Sequence, residues 1–439
     1  MEKVLKKSRY IFFIENSRDE VIIYHSATGF ILLCSESEYI QKAEIIEDSE
    51  TIIYDESNDL VSLLYNKGVL LDIDFDEDAH IRQMYEENVI NRKQLMLTLI
   101  VTRQCNFRCV YCGQKHENKR MMKDTYDAII EFIKKMFITN RFKSVSVSFF
   151  GGEPLLEYNN IIYFLHKLRE FSKESGISYY AGMTTNAYLL TPEKFTKLAE
   201  LGCLDYQITL DGMDYTHDKK RYLIGNKPTW KTIVENLIYI KSTKVDFSMS
   251  LRTNFDTTVL DSIEEYLDFV STTLKDDRIL LYYETIKDHG NVKQTEYISN
   301  VEAVFSNVEI SKLLREKGLK SSIVYHSTLP YCSMCRAGIP NFYVIDYDSG
   351  IKKCTHRLDS IKNKIGYLEQ DGQAILYSNL NAQWNYKDYL SMPKCQTCKL
   401  LPLCFGKKCP VCYVDDELTF ECNQELEMIE LEEIISAHV

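Results

Sequence analysis

Six apolar runs alternate with helical patterns from residue 95 onward. The runs resemble buried strands in length and composition, and the segments between them repeat apolar residues at the spacing of amphipathic helices. The runs are LMLTLIV, SVSVSFF, YYAGMTT, DYQITL, FSMSLRT and RILLYYE, and the helical segments include DTYDAIIEFIKKMF, NNIIYFLHKLREFSKESG, TPEKFTKLAELG and TWKTIVENLIYIK. This alternation predicts an α/β fold with a parallel sheet, open or barrel-like, whose chemistry lies at the carboxyl ends of the strands.

The first 92 residues have a different pattern. RYIFFI, EVIIYHS and GFILLCS alternate as short strands, and SESEYIQKAEII and DLVSLLYNKG have helical spacing, with Gly68 ending the second helix before VLLDI. Strands followed by a helix, glycine and strand unit predict a small winged-helix module over residues 1–92. We expect the β/α array over 93–305 and a bridging, cysteine-rich region over 306–439, where the regular alternation stops.

Charge and hydropathy narrow the possible partners. Residues 1–92 carry 20 Asp or Glu against 9 Lys or Arg, a net charge of -11 within a chain total of -12. An acidic module does not attract phosphate backbones, so we expect no nucleic-acid partner. Apolar runs long enough to span a membrane and a signal-peptide pattern are both absent, so we expect no membrane association and a cytoplasmic location.

Cysteine is the residue type that points most directly to chemistry. Of 14 cysteines, Cys34 and Cys203 stand apart and read as ordinary buried thiols, whereas the other twelve fall in tight groups. In a reducing compartment such groups indicate metal or cluster ligation rather than disulfides. The twelve candidate ligands are Cys105, Cys109, Cys112, Cys332, Cys335, Cys354, Cys395, Cys398, Cys404, Cys409, Cys412 and Cys422.

The first group lies directly after the first strand of the array. Three thiolates on a tight loop, Cys105, Cys109 and Cys112, are able to hold three irons of a 4Fe-4S cluster and leave the fourth iron open. A zinc site usually has a fourth Cys or His nearby, for which His116 is the candidate.

The spacing Cys-x3-Cys-x-aromatic-Cys, with Tyr111 as the aromatic residue, resembles the signature of the radical S-adenosylmethionine (SAM) enzymes. Further motifs agree with a partial (β/α)6 TIM-like barrel of that family. The residues that the resemblance assigns to SAM binding are Tyr111, the GGEP residues Gly151, Gly152, Glu153 and Pro154, the third-strand residues Thr184 and Asn186, Asp211 of a segment resembling SLDG...HD...R, and Arg252 of the fifth strand. Alternatively, GGEP is an ordinary strand-to-turn connection, Asp211 a turn residue, and Arg252 the partner of a structural carboxylate.

The C-terminal cysteines resemble a SPASM domain, which adds two auxiliary 4Fe-4S clusters to a radical SAM barrel. The resemblance assigns Cys332, Cys335, Cys354 and Cys409 to the first auxiliary cluster and Cys395, Cys398, Cys404 and Cys422 to the second. The spacing departs from the family pattern after Gly350 and between Cys404 and Cys409, so Cys412 is an alternative to Cys409. Paired zinc knuckles are the other reading.

The resemblance implies three 4Fe-4S clusters, SAM, and an electron donor such as flavodoxin or ferredoxin. Reductive cleavage of SAM would release methionine and a 5'-deoxyadenosyl radical that removes hydrogen from an unactivated C-H bond. Deprotonation during product formation would need a base, and the candidates after the sixth strand are Glu284, Asp288 and His289.

The whole architecture resembles maturases of ribosomally made precursor peptides, in which the N-terminal module binds the leader by adding it as a strand. The compact size is most like the streptide-type group, which joins Lys and Trp side chains by a carbon-carbon bond. Cysteine thioether formation and sulfatase-type formylglycine maturation are alternatives. A hypothesis of another class is a non-catalytic iron-sulfur electron-transfer protein.

Overall fold

The computed structural model describes residues 3–16, 20–140, 142–286, 298–385, 392–406, 409–415 and 422–438. Its strands are β1 (Val4–Lys7), β2 (Ile11–Asn16), β3 (Glu20–His25), β4 (Phe30–Cys34), β5 (Thr51–Ile53), β6 (Leu70–Asp72), β7 (Gln94–Thr102), β8 (Ser144–Gly151), β9 (Ser178–Thr185), β10 (Cys203–Thr209), β11 (Ser248–Phe255), β12 (Ile279–Thr285), β13 (Phe342–Ile345), β14 (Gly350–Lys352), β15 (Lys364–Leu368) and β16 (Ala374–Leu376).

Its α-helices are α1 (Ser37–Asp48), α2 (Asp59–Asn66), α3 (Glu77–Tyr85), α4 (Lys123–Asn140), α5 (Tyr158–Ser175), α6 (Pro192–Glu200), α7 (Asp214–Lys220), α8 (Trp230–Ser242), α9 (Thr257–Leu260), α10 (Ile263–Phe269), α11 (Asn300–Glu316), α12 (Ser322–Thr328), α13 (Ser378–Trp384), α14 (Pro393–Gln396), α15 (Leu401–Cys404), α16 (Val411–Val414) and α17 (Gln424–His438). Short 3-10 turns include Pro154–Glu157, and π-helical turns end α3 and α10.

The predicted parallel array is confirmed. Strands β7 to β12 are neighbours in chain order, all paired in parallel, and each predicted run matches one of them to within a few residues. Burial alternates along β8: Val145, Val147 and Phe149 are buried, whereas the intervening serines are half-buried. The buried side packs against the helices, whereas β7 is buried on both faces.

The central sheet does not end with the sixth strand. Strand β13 pairs in parallel with β7, with Ile345 opposite Leu99, and β14, β15 and β16 continue the sheet as an antiparallel meander to ten strands. The sequence analysis expected the alternation to stop near residue 300 and did not predict these four strands. The cysteine-rich region therefore shares a sheet with the barrel.

The N-terminal residues form two small sheets with helices. Strands β2, β3 and β4 form a meander, and β1 lies between β5 and β6 in a second antiparallel sheet. The strands and helices expected from the pattern are present, whereas β1, β5 and α3 were not predicted. The core of this part includes Cys34, which is 1% exposed as expected for an ordinary buried thiol.

The meander also packs on the C-terminal end of the chain. Phe12 and Tyr24 share an apolar cluster with Leu403 of the cysteine-rich segment and Ile435 of α17. A second cluster joins Tyr85 of α3 to residues of β7, β13 and the segment near Cys404. The N-terminal and C-terminal parts are thus held on the same side of the barrel.

Candidate functional site

The loop with the first three cysteines leaves β7 at the carboxyl edge of the sheet. Its backbone is tied to the end of α7 and the residues that follow: the N-H of Val110 donates to the carbonyl of Lys220 (2.9 Å) and the N-H of Arg108 to that of Tyr222 (2.8 Å). Phe107 pairs with Leu223 in an isolated antiparallel bridge. The loop therefore has a defined conformation at the end of the barrel.

The thiols of this loop lie near one another and near buried charges. Burial raises the pKa of Cys105 to about 12, with the charge of Glu153 and the other two thiols acting in the same direction. Burial also raises the pKa of Cys109 to about 11, opposed by Arg221. Without a bound cation these two thiols stay protonated at neutral pH, and a cation that binds thiolates must displace their protons.

The glycines of the GGEP motif let the end of β8 approach the start of the cysteine loop. A Cβ on Gly151 would stand 2.2 Å from the carbonyl oxygen of Thr102, and one on Gly152 would stand 2.2 Å from that of Gln104. The N-H of Gly152 donates to Thr102 (3.0 Å) and the N-H of Glu153 to Gln104 (2.9 Å). The two glycines are thus required by backbone contact with the loop, and Pro154 begins the 3-10 turn that follows.

Glu153 is fully buried and joins β8 to β9. One carboxylate oxygen accepts from the N-H of Leu155 (2.9 Å) and the hydroxyl of Thr185 (2.7 Å), and the other accepts from the N-H of Asn186 (2.8 Å). Burial raises the pKa of Glu153 although these bonds oppose the shift. The residue has a clear role in positioning both strand ends, and its contact with the SAM ammonium stays a prediction.

Asn186, at the end of β9, faces the cysteine loop. Its Nδ2 donates to Asn106 (2.8 Å) and lies 3.9 Å from the sulfur of Cys105. Thr184 is half-buried on the polar face of β9, whereas Thr185 is buried. Two residues predicted as ribose contacts, Thr184 and Asn186, therefore lie on the open face and beside the thiols.

A buried polar network links the cysteine loop to β10 and β11. Asp211 accepts hydrogen bonds from the hydroxyl of Tyr111 and from the backbone N-H of Asn254 (2.8 Å). Arg221 donates to the Tyr111 hydroxyl (2.6 Å) and lies 4.0 Å from Asp211. The reading of Asp211 as a mere turn residue does not account for these contacts, because its carboxylate joins three elements.

The Arg221 guanidinium is buried beside the cysteines. Burial by itself would lower its pKa, but Tyr111, Cys109 and Asp211 together raise it well above its ordinary value. Its Nε has no hydrogen-bond partner among the described residues. A buried cation with an unused donor suits a site that receives an anionic group.

Arg252 and Glu284 lie on the polar face of the last two strands. The Nε of Arg252 donates to the side-chain oxygen of Asn254 (2.7 Å), and its guanidinium lies 5.4 Å from the centre of the Tyr282 ring. Tyr282 donates to Glu284 (2.7 Å). No Asp or Glu of the described ranges forms a salt bridge with Arg252, which does not support the reading that it pairs with a structural carboxylate. Asp288 and His289 lie outside the described residues.

The polar face of the barrel continues from these residues toward β8. Half-buried polar side chains line it from strand to strand, and paired register places Thr184, Gln207 and Ser250 side by side. Apolar residues occupy the opposite face. The polar face therefore lies next to the cysteine loop, at the carboxyl ends of the strands where ligands bind in folds of this kind.

Two of the C-terminal cysteines, Cys354 and Cys395, have different thiols as electrostatic neighbours. Burial first, then the nearby Cys335 and Cys409, raises the pKa of Cys354 to about 11. Burial, then Cys398 and Cys422, raises the pKa of Cys395. Cys332 precedes Cys335 by three residues and Cys404 ends α15, while Cys412 lies in α16. Cys335 and Cys409 are thus near Cys354, and Cys398 and Cys422 are near Cys395. The two ligand sets that the resemblance assigns, and the choice between Cys409 and Cys412, stay predictions.

No three His, Cys, Asp or Glu side chains in the described ranges converge closely enough to hold a single metal ion. A 4Fe-4S cluster binds each thiolate at a different iron, so its ligands need not converge on one point.

Several site residues escaped the sequence analysis. Asn254 contacts Asp211, Tyr111 and Arg252, and its position two residues after Arg252 on the same face was the available signal. Thr185 and Asn106 gave none, because their roles depend on contacts between distant loops.

Comparison with known proteins agrees with this geometry. The sequence profile of the Radical SAM superfamily matches residues 99–270, so the chain contains a radical SAM domain. The radical SAM cyclopropyl synthase TigE of Paramaledivibacter caminithermalis is 24% identical over 263 residues, covering 53% of this chain and 54% of that protein. A GTP 3',8-cyclase of Helicobacter pylori is 23% identical over 329 residues, covering 68% of this chain and 94% of that enzyme. The chain thus spans only about half the length of the synthase.

Solved structures share the fold. Native anSMEcpe with bound AdoMet and Cp18Cys peptide superposes with a TM-score of 0.57 at 16% identity, covering 77% of this chain and 95% of that one. Streptococcus suis SuiB bound to S-adenosylmethionine superposes with a TM-score of 0.50 at 16% identity, covering 91% and 94%. In the described ranges, no helix has both the length and the apolar character needed to cross a membrane.

A radical SAM domain implies a 4Fe-4S cluster and SAM, and the residues present fit both. Three thiols stand on one loop, and the glycine backbone of β8 runs beside it. Arg252 is half-buried on the polar face, and a guanidinium is a group that binds a carboxylate through two hydrogen bonds.

Proposed function

We propose that this protein is a radical SAM enzyme that modifies a ribosomally made precursor peptide. The observation that carries the proposal is the three-cysteine loop held at the carboxyl edge of the barrel, beside the glycine backbone and the buried Asp211 network. When bound, the cluster and SAM supply a 5'-deoxyadenosyl radical that removes hydrogen from an unactivated C-H bond.

In this proposal Cys105, Cys109 and Cys112 hold the cluster and leave one iron for SAM. Arg252 binds the SAM carboxylate, and Thr184 with Asn186 contacts the ribose. Gly151, Gly152, Glu153 and Pro154 shape the methionine pocket, while Tyr111 and Asp211 fix the loop from behind. The protein's own contribution is to hold substrate and cofactor in contact and to exclude water.

The C-terminal cysteines hold two auxiliary 4Fe-4S clusters in this proposal. Cys332, Cys335, Cys354 and Cys409 bind the first, and Cys395, Cys398, Cys404 and Cys422 bind the second. The different thiol neighbours of Cys354 and Cys395 support the division. The auxiliary clusters would accept the electron left after bond formation or bind the substrate.

The proposed substrate is a peptide whose leader is bound by residues 1–92. Strand β4 is an edge of the meander and has the apolar sequence FILLC, four of whose residues are half-buried. Edge strands present unpaired backbone groups that an extended peptide is able to join. The anSMEcpe structure contains a bound peptide, which supports a peptide substrate for a chain of this fold.

For the product, we propose an intramolecular cross-link, with a Lys-Trp carbon-carbon bond as the first to be tested and a cysteine thioether as the alternative. Glu284 is the proposed base, since it lies on the polar face within one hydrogen bond of Tyr282. The basic loop after the cysteines, with Lys115, Lys119 and Arg120 exposed, suits an acidic electron donor such as flavodoxin or ferredoxin.

The enzyme class is tested by anaerobic reconstitution with iron and sulfide, reduction with dithionite and chromatography for 5'-deoxyadenosine. The chain should cleave SAM, and the triple alanine variant of Cys105, Cys109 and Cys112 should not. Cys203→Ala is the matched control, because Cys203 is a buried thiol of the same barrel outside the loop. Unchanged SAM with the intact chain would favour the iron-sulfur electron-transfer protein instead.

The substrate is tested with the short peptide encoded beside the gene. A core with Lys-x3-Trp that loses two hydrogens, with the link mapped by tandem mass spectrometry, would support the carbon-carbon bond. A Cys-rich core that becomes resistant to thiol alkylation would support the thioether. Deleting residues 1–92 should weaken binding of the leader while SAM cleavage without peptide persists.

A further inference from the structure

The base of the three-cysteine loop is closed by Lys119. Its carbonyl oxygen accepts the N-H of Arg103 (2.9 Å) and the hydroxyl of Thr102 (2.9 Å), so the residues before and after the cysteines are joined. The ring of Tyr347 lies beside both side chains, 5.9 Å from the Arg103 guanidinium and 5.5 Å from the Lys119 ammonium. A residue from the C-terminal part thus contacts both ends of the loop.

Asp346 is the buried anion at this position. Arg103 donates Nη2 to one of its carboxylate oxygens (2.6 Å) and Nε to the other (3.3 Å), and the Lys352 ammonium donates to it as well (2.6 Å). The three side chains are 5%, 1% and 9% exposed for Arg103, Asp346 and Lys352. One carboxylate therefore balances two buried cations.

Asp359 extends this arrangement to the other side of the loop. Asp359 lies 3.3 Å from Nη1 of Arg103 and 3.5 Å from the ammonium of Lys115. Arg103 is two residues before Cys105, and Lys115 is three residues after Cys112. The two cations Arg103 and Lys352 are thus balanced by the two carboxylates Asp346 and Asp359. Lys115 adds one further positive charge. Both carboxylates belong to the segment 346–359, which also contains Cys354.

The sheet explains why this segment reaches the loop. Strand β13 runs parallel to β7 and ends at Ile345, so Asp346 and Tyr347 emerge at the same edge as Thr102 and Arg103. From there β14 leads directly to Cys354. The carboxylates are placed beside the loop by strand pairing rather than by chance contact of surface side chains.

We propose that Asp346, with Tyr347 and Asp359, is a positioning residue that holds the three-cysteine loop in the conformation that binds its cluster, and that it couples the loop to the segment of Cys354. The loss of Asp346 removes the buried anion from Lys352 and leaves Arg103 with the half-exposed Asp359 alone, so the loop base opens. The second half of the inference rests on the proposed function, whereas the holding of the loop does not.

Hydrogen exchange on the metal-free full chain tests the holding of the loop. Asp346→Asn should speed exchange of the amides of residues 103–112 by about tenfold or more, as expected from loss of a charged hydrogen bond. Asp348→Asn is the matched control: it is the same change two residues away, at a carboxylate that is 44% exposed and 3.9 Å from Lys364. Equal exchange in the two variants would overturn the proposal.

The coupling to the cluster is tested on the reconstituted chain by electron paramagnetic resonance with and without SAM. Asp346→Asn should weaken the SAM-induced change of the reduced signal and slow deoxyadenosine formation about tenfold, while the iron content of the C-terminal sites is kept. If the intact chain shows no SAM-induced change, the proposed function fails and the exchange result still decides the holding of the loop.

A second variant serves if Asp346→Asn does not fold. Asp359 is 46% exposed, so Asp359→Asn removes the contacts with Arg103 and Lys115 without burying an unpaired charge. Asp359→Asn should also speed amide exchange at residues 103–112, but by a smaller factor than Asp346→Asn. Exchange rates equal to those of the intact chain would overturn the proposal.

Discussion

The cysteines of the barrel and those of the C-terminal region differ in how the fold supports them. The loop of Cys105, Cys109 and Cys112 is tied by backbone hydrogen bonds, and its thiols are buried or half-buried. Among the C-terminal cysteines in the described ranges, Cys332, Cys335, Cys409 and Cys422 are exposed. Cys332 lies in a turn, Cys335 and Cys409 lie next to helices of three or four residues, and Cys422 precedes α17.

The difference teaches that the two kinds of site depend on metal to different degrees. Strand pairing and the Asp211 network fix the barrel loop through the protein's own contacts, so we infer that it is largely formed before a cluster binds. Four of the C-terminal thiols are exposed, and we infer that cluster binding contributes directly to folding there. The two tryptophans are local probes: Trp230 donates to Gly212 at the barrel edge, and Trp384 donates to Lys362 in the C-terminal region.

The largest expected effects on activity and iron content come from replacing the cysteines of one region at a time. Replacing the three barrel cysteines by alanine should remove SAM cleavage to below detection and leave Trp230 fluorescence unchanged. Replacing Cys335, Cys354 and Cys409 should lower the iron content by about four per chain and the thermal stability reported by Trp384, with SAM cleavage still measurable. Chromatography, iron analysis and fluorescence melts check both, and the comparison is wrong if the C-terminal variant melts as the intact chain does.

The next effect is the loss of the buried anion of the barrel. Asp211→Ala leaves Arg221 buried without its carboxylate, which should destabilise the barrel by about 3 to 5 kcal/mol. Urea unfolding followed by Trp230 in a Trp384→Phe background measures it, since the indole N-H of Trp230 donates to Gly212 (3.1 Å) next to Asp211. Asp214→Ala, an exposed carboxylate at the start of α7, is the control and should cost less than about 0.5 kcal/mol.

Substituting Gly152 and Gly350 by alanine compares a methyl group that meets backbone with one that meets a side chain. Gly152→Ala sets a methyl group 2.2 Å from a backbone oxygen and should destabilise the barrel by about 1 to 3 kcal/mol. The corresponding change at Gly350 meets the end of the Asp348 side chain at 2.8 Å, which is able to move, so its cost should stay below about 1 kcal/mol. Equal costs in urea unfolding would contradict the distinction.

The smallest effect is a pH dependence confined to the barrel. Burial, and then the charge of Arg221, lowers the pKa of His217 well below its ordinary value, and its Nδ1 accepts the N-H of Asp211 (3.1 Å). The folded state therefore binds fewer protons than the unfolded state. The contribution of His217 to stability is fully present above pH about 6.5 and falls below it by up to about 1.4 kcal/mol per pH unit.

His217→Asn keeps an acceptor near the position of Nδ1 and should flatten this dependence when urea midpoints are measured with Trp230. His166→Asn, at an exposed position of α5, should leave the slope as it is in the intact chain. A slope unchanged by His217→Asn would show that another group titrates.

The local pattern of apolar and polar residues predicted the parallel strands of the barrel and the edge at which the site lies. The six parallel strands follow from apolar runs between amphipathic helices, and the barrel edge follows from where the runs end. Cys105, Gly151 and Asp211 each come directly after a predicted strand, so their convergence at one edge was predictable from parallel pairing.

The remainder depends on contacts between residues far apart in the chain. Strands β13 to β16 are three to five residues long, and β13 lies beside β7 although more than two hundred residues separate them, which no local pattern records. The buried pair of Asp346 with Arg103 follows from that pairing. The contact of Glu153 with Thr185 depends on how the loops after β8 and β9 meet. The precursor peptide and the residues joined are likewise not encoded in a local motif.

The central claim is that the barrel thiols hold a cluster with one iron open to SAM. Mössbauer spectroscopy of the chain reconstituted with isotopically enriched iron, with and without SAM, tests it most directly. The account predicts that the signal of about one iron per chain changes when SAM is added, and that this change is absent in the triple alanine variant of Cys105, Cys109 and Cys112. Spectra that SAM leaves unaltered, with every iron bound by protein sulfur, would contradict the account.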